Sequence, residues 1–132
     1  MILLDSNVLL DIWDPDPVWH EWSSSQMRNL SPLHEFAINP IIYAEISVSF
    51  TSTDALDERL LALGVSVMAI PRKVSFLAGK AHAHYRRKGG LKGTVLADYF
   101  IGAHAAVLGC ALLTRDTRRY QTYFPTVPLI AP

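Results

Sequence analysis

Short apolar runs recur along the chain, and between them the apolar positions fall into helical spacing. Ile2-Leu3-Leu4, Phe36-Ala37-Ile38, the β-rich stretch 65–70, Cys110-Ala111-Leu112-Leu113 and the stretch 127–130 are bounded by polar residues, glycine or proline, as short buried strands are. Val8, Leu9 and Ile12 share a helix face, as do Ile41, Ile42, Ile46 and Val48 and, later, Ile101, Ala105 and Leu108. Strands alternating with helices, and little hairpin chemistry, predict an α/β fold. It is expected as a single domain, residues 1–132, with a mainly parallel central sheet flanked by α-helices.

Punctuation residues set the expected boundaries. Ser6-Asn7 can cap the first helix, and Asp14-Pro15-Asp16-Pro17 must turn, with Pro17 suiting the first turn of a helix to about residue 30. Asn39-Pro40 is a cap followed by a first-turn proline, and Glu45 lies one turn after Ile41. Thr53-Asp54 caps a helix over 55–63 that Gly64 stops, and Pro71 opens another to about residue 88. Gly89, Gly90 and Gly93 form a flexible connection, Thr94 caps the next helix, and Gly109 ends it.

Composition changes this picture little, and charge changes it more. With half of its residues hydrophobic, the chain is no disordered segment, and no apolar run approaches the roughly 20 residues of a membrane span. No signal-peptide pattern opens the chain, so the expected location is the cytoplasm. Cys110 has no partner for a disulfide or a zinc pair and reads as a small core residue. Residues 1–58 carry ten acids and one base, a net of −9, whereas residues 59–132 carry eleven bases and two acids, a net of +9. Such a division either presents a basic surface to a polyanion or draws the two halves together.

Four acids stand out. Asp5 and Asp116 follow predicted strands, where parallel α/β sheets bind ligands. Asp98 shares a face with Ile101 and Ala105, and Glu45 sits in mid-helix. Neither has a lysine or arginine at i±4: position 41 is Ile, 49 is Ser, 94 is Thr and 102 is Gly. Taken singly, the acids have structural readings as a strand-end cap, a first-turn acid, an Asx-turn and, for Glu45, a buried ion pair with a distant arginine. Together they would repel one another unless a divalent cation neutralised them, and all-oxygen ligation favours Mg²⁺ or Mn²⁺. Metal-activated hydrolysis of phosphodiesters is the chemistry such a site serves.

The order Leu4-Asp5-Ser6-Asn7, helical Glu45, Leu96-Ala97-Asp98-Tyr99-Phe100-Ile101-Gly102-Ala103, and Leu113-Thr114-Arg115-Asp116 followed by Tyr120 and Phe124 resembles the PIN domain. More narrowly it resembles the VapC-type toxins of toxin–antitoxin pairs, over essentially the whole chain. The resemblance implies an endoribonuclease in which Asp5, Glu45, Asp98 and Asp116 hold Mg²⁺ or Mn²⁺, Thr114 supplies a hydroxyl beside the last acid, and Asn7 organises the first loop. It also implies an RNA substrate, a cognate antitoxin protein and, with the apolar Trp13, Val18, Trp19 and Trp22, a homodimer.

From Arg59 to Ala97 there is no carboxylate, and Arg86-Arg87-Lys88 beside Gly89-Gly90 is expected to grip RNA phosphates without reading sequence. Its bland counterpart is a solvated helix face. His82 and His84 point apart on a helix and do not form a metal pair. The alternative function is a non-catalytic α/β signalling or protein-binding module. A phosphoacceptor module, however, wants paired acids after the first strand and an acid closing the mid-chain strand, which here ends at Ala69-Ile70-Pro71.

Overall fold

A computed structural model describes residues 1–89 and 96–132. Its strands are β1 (Ile2–Leu4), β2 (Phe36–Ile38), β3 (Val65–Val67), β4 (Ala111–Leu113) and β5 (Leu129–Ile130). Among the described residues the helices are α1 (Ser6–Trp13), α2 (His20–Leu30), α3 (Pro40–Ser47), α4 (Thr53–Ala62), α5 (Arg72–Arg87), α6 (Leu96–Leu108) and α7 (Arg118–Gln121). The sheet order is β3-β2-β1-β4-β5 and every pairing is parallel, so the expected α/β architecture with a parallel central sheet is the observed one. Every residue of β1 and β2 is buried, as in strands covered by helices on both faces. Successive strands run outward from β1 to β3, and the chain then returns to the other side of β1 as β4. The gap between the carboxyl ends of β1 and β4 is therefore a topological switch point, where open α/β sheets bind ligands.

Several boundaries differ from expectation for local reasons. Asp5, not Ser6-Asn7, caps α1, since its side chain accepts from the Ser6 N–H at 2.8 Å. Pro17 stays in a turn, because Asp16 accepts from the N–H groups of Val18 and Trp19 at 2.8 Å and delays α2 to His20. Ser52 replaces Thr53-Asp54 as the cap of α4. Asn39 caps α3 as expected, accepting from Ile42 N–H at 2.9 Å, with Pro40 in the first turn. β3 is shorter than the 65–70 run, and α7 is a helix that no periodicity announced. The predicted Thr94 cap and the Gly90–Gly93 connection lie outside the described residues.

Gly102 has a specific role within α6. A Cβ there would run into the Phe124 ring, so the glycine lets the segment after α7 lie directly on the helix that carries Asp98. Buried Phe124 and Tyr120 thereby join the β1–β4 core.

Candidate active site

Asp5 stands at the end of β1, and its N–H continues the ladder by donating to Leu113 O at 2.9 Å. The carboxylate is fully buried and heavily hydrogen-bonded. Oδ1 takes the Ser6 N–H, while Oδ2 accepts from Thr114 Oγ1 and Tyr120 OH, each at 2.8 Å, and from Asn7 Nδ2 at 3.2 Å. Thr114 passes the alignment on, because its Oγ1 accepts from the Asp116 N–H at 3.0 Å. Asn7 ties the first loop to the second, its Oδ1 accepting from Arg115 N–H at 3.4 Å. Burial, then the Asp5 charge and hydrogen bond, push the Tyr120 hydroxyl far above its ordinary pKa, so it remains a donor.

Asp98 comes from the first turn of α6 and is buried; Asp116 follows β4 and is half-exposed. Between them lies Arg119, with Nη1 3.3 Å from Asp98 Oδ1 and Nε 3.0 Å from Asp116 Oδ2. Burial works against its charge, but Asp98, Asp5, Tyr120 and Asp116 together hold its pKa above the ordinary value. Glu45 reaches the same neighbourhood from α3. Its carboxyl is shifted upward by burial first, then by Asp5 and Asp98, with Ser6 and Arg119 pulling it down. Its Oε1 is buried with no hydrogen-bond partner among the described residues.

The four predicted acids thus share one electrostatic neighbourhood at the switch point, and an unpartnered buried oxygen beside two other carboxylates fits a hard divalent cation. They are not a closed ligand set: among the described residues no three His, Cys, Asp or Glu side chains are gathered closely enough to hold a metal ion. The reason is visible in the contacts. Asp5 turns an oxygen to two hydroxyls, and Arg119 stands between Asp98 and Asp116. No lysine or arginine stands at i±4 of Glu45 or Asp98, yet the acids have a nearby cation from elsewhere in the chain. That cation is Arg119, which forms its ion pairs with Asp98 and Asp116 and acts on Glu45 through its charge, so the buried ion pair considered for Glu45 is not formed among the described residues. Arg119 is three residues beyond Asp116, which precedes α7, so their ion pair closes across the start of that helix.

Two further supports escaped the sequence. Buried Asp11 on α1 accepts from Ser23 Oγ at 2.9 Å and from Arg115 Nε at 3.0 Å, so the turn carrying Thr114 and Asp116 is braced from the opposite helix pair. Asn39, the cap of the helix bearing Glu45, places Nδ2 3.1 Å from His104 Nδ1 on the helix bearing Asp98. Because Asn39 Oδ1 is committed to the cap, its amide donates to His104 Nδ1, which puts the ring proton on Nε2, buried without a partner among the described residues.

The basic cluster Arg86, Arg87 and Lys88 ends α5, exposed and without an ion pair among the described residues. Tyr85, next to it, lies 6.1 Å from Tyr99, ring centroid to centroid, and His82 lies 5.3 Å from Tyr99. Since Tyr99 adjoins Asp98, the end of α5 and the start of α6 lie side by side. His82 and His84 sit against Tyr99 and Tyr123, each in an edge-on ring contact. Trp13 packs edge-on against Phe50, and Trp19 against Trp22, so most of the tryptophan surface is used within the chain, while Val18 remains exposed.

Fold and site define a parallel α/β domain with carboxylates at the switch point of its sheet. Residues 2–125 match the PIN domain family, and the chain belongs to it. Its backbone resembles the solved structures of VapBC2 from Rickettsia felis bound to a promoter DNA fragment (TM-score 0.72, 20% identity, 99% of this chain and 98% of that one) and of VapBC-1 from nontypeable Haemophilus influenzae (0.73, 20%, 99% and 98%). It also resembles FitAcB from Neisseria gonorrhoeae (0.66, 23%, 98% and 96%). No curated protein matches the chain significantly. Among the described residues no helix is long and apolar enough to cross a membrane.

Proposed function

We propose that this chain is the nuclease toxin of a toxin–antitoxin pair, a cytoplasmic endoribonuclease that uses Mg²⁺ or Mn²⁺. The observation that carries the reading is the shared electrostatic neighbourhood of Asp5, Glu45, Asp98 and Asp116, with Glu45 Oε1 buried and unpartnered among the described residues. A divalent cation held by these carboxylates would supply an activated water and neutralise charge on a phosphodiester. The protein's own part is orientation. Ser6, Thr114 and Tyr120 hold Asp5 in one rotamer, Thr114 aligns Asp116, and the Asn39–His104 contact joins the helices of Glu45 and Asp98. Arg86, Arg87 and Lys88, at the same end of the α5–α6 pair as Asp98, position the RNA backbone.

The deciding experiment is RNA cleavage by purified protein with and without divalent cation. Activity should require Mg²⁺ or Mn²⁺ and leave 5′-phosphate and 3′-hydroxyl ends; full activity in excess chelator, or a 2′,3′-cyclic phosphate product, would refute it. Absence of cleavage with intact fold would favour the protein-binding alternative. The reading includes a cognate antitoxin, in keeping with similar structures that are toxin–antitoxin complexes, and a homodimer, for which exposed Val18, Leu61 and Val67 offer apolar surface. A monomer by light scattering at micromolar concentration would count against the dimer.

A further inference from the structure

Arg119 occupies the position that a metal-binding reading assigns to a cation. It bonds two of the four acids at once, from a helix of one turn, with a side chain 40% exposed. Its neighbour Tyr120 is fully buried and locked onto Asp5, so the backbone of α7 is anchored while the arginine side chain has a route to solvent. The other basic residue of α7, Arg118, is exposed and forms no ion pair among the described residues. The contrast between adjacent arginines points to placement of Arg119, beyond general basicity.

We infer that Arg119 is an internal counter-ion that closes the Asp98–Asp116 gap when no divalent cation is bound, and that it withdraws when one enters. This rests on the metal reading above. Two physical facts drive the exchange. A divalent ion and a guanidinium repel each other at the separation set by shared carboxylates, and Mg²⁺ demands near-octahedral oxygen geometry that a bridging arginine obstructs. With Arg119 in place one of the two negative charges of Asp98 and Asp116 is offset without metal, which lowers the repulsion among the acids in the metal-free state. The same contact makes metal loading a competition, so apparent affinity is reduced by the fraction of molecules in which the gap is open.

The test uses the full chain and metal salts alone, without RNA. Mn²⁺ titrated calorimetrically should bind Arg119→Gln roughly tenfold or more tightly than the parent protein, while Arg118→Gln, which removes the same charge one residue away, should change little. In the parent protein, the Arg119 Nε–H resonance should be protected in metal-free solution and lose that protection on saturation with Mg²⁺. This arm needs no variant to fold. Equal Mn²⁺ affinity in all three proteins, or an Nε–H that stays protected at saturation, overturns the inference and leaves the metal site standing. Equal tightening in Arg118→Gln and Arg119→Gln also overturns it, since long-range charge alone then explains the effect. No binding of Mn²⁺ or Mg²⁺ by any of the three overturns the metal reading itself, and the inference with it.

Discussion

At Asp5 a buried carboxylate has been given a backbone donor, two hydroxyls and an amide, whereas at Glu45, facing the same site, a buried carboxylate oxygen has no donor among the described residues. Asp98 and Asp116 fall between these extremes, paired through a half-exposed arginine. The difference separates two tasks within one cluster of like charges. The Asp5 corner is a finished piece of protein interior, rigid because removing any partner strands a buried polar group. The Glu45 corner is unfinished in the same sense, and an incoming cation would find its unmet demand there.

The largest expected effect comes from treating both corners as one site. Asp98→Asn and Asp5→Asn should each reduce RNA cleavage by roughly 100-fold or more, measured with saturating Mg²⁺. Only Asp5→Asn should also lower thermal stability, because Thr114 and Tyr120 both direct their protons at its Oδ2. Full activity in a well-folded Asp98→Asn protein would separate the Asp98–Asp116 pair functionally from the Asp5 corner.

Next in size is the rigidity of the Asp5 corner. Tyr120→Phe removes a buried hydrogen bond to a charged acceptor and should destabilise by about 1.5–3 kcal/mol in urea unfolding. A loss under about 0.5 kcal/mol would show that the corner is less tightly built than its geometry suggests. A smaller effect concerns the approach to the site. Replacing Arg86, Arg87 and Lys88 by Ala should weaken binding to unrelated RNAs alike and flatten the log–log salt slope by roughly 0.7 for each phosphate that is no longer neutralised. Weakening confined to one sequence would mean that these residues read bases.

The smallest effect tests the link between the two acid-bearing helices. Burial lowers the pKa of His104 below the ordinary 6.5 while it accepts from Asn39. The unfolded chain therefore takes up a proton that the folded chain resists. Stability is fully present above about pH 6.5 and declines as pH falls below it. Thermal melts of His104→Gln should show a shallower decline over that range; an identical pH profile would show that His104 plays no part in it.

Local patterning specifies the strands and the longer helices, though not α7, and singles out the acids. Strand runs such as Phe36–Ile38 and the Asn39-Pro40 start of α3 are local instructions, since three apolar residues bounded by a cap carry their own geometry. Asp5, Glu45, Asp98 and Asp116 were legible because strand ends and helix faces place them before any tertiary contact forms. How each acid is satisfied depends instead on long-range packing. Tyr120 reaches Asp5 across 115 positions, Arg115 reaches Asp11 across 104 and His104 meets Asn39 across 65, distances over which no periodicity speaks. Arg119 stands only three residues from Asp116. Its bond to Asp98, however, requires α7 and α6 to pack, and a four-residue helix becomes stable only through that packing.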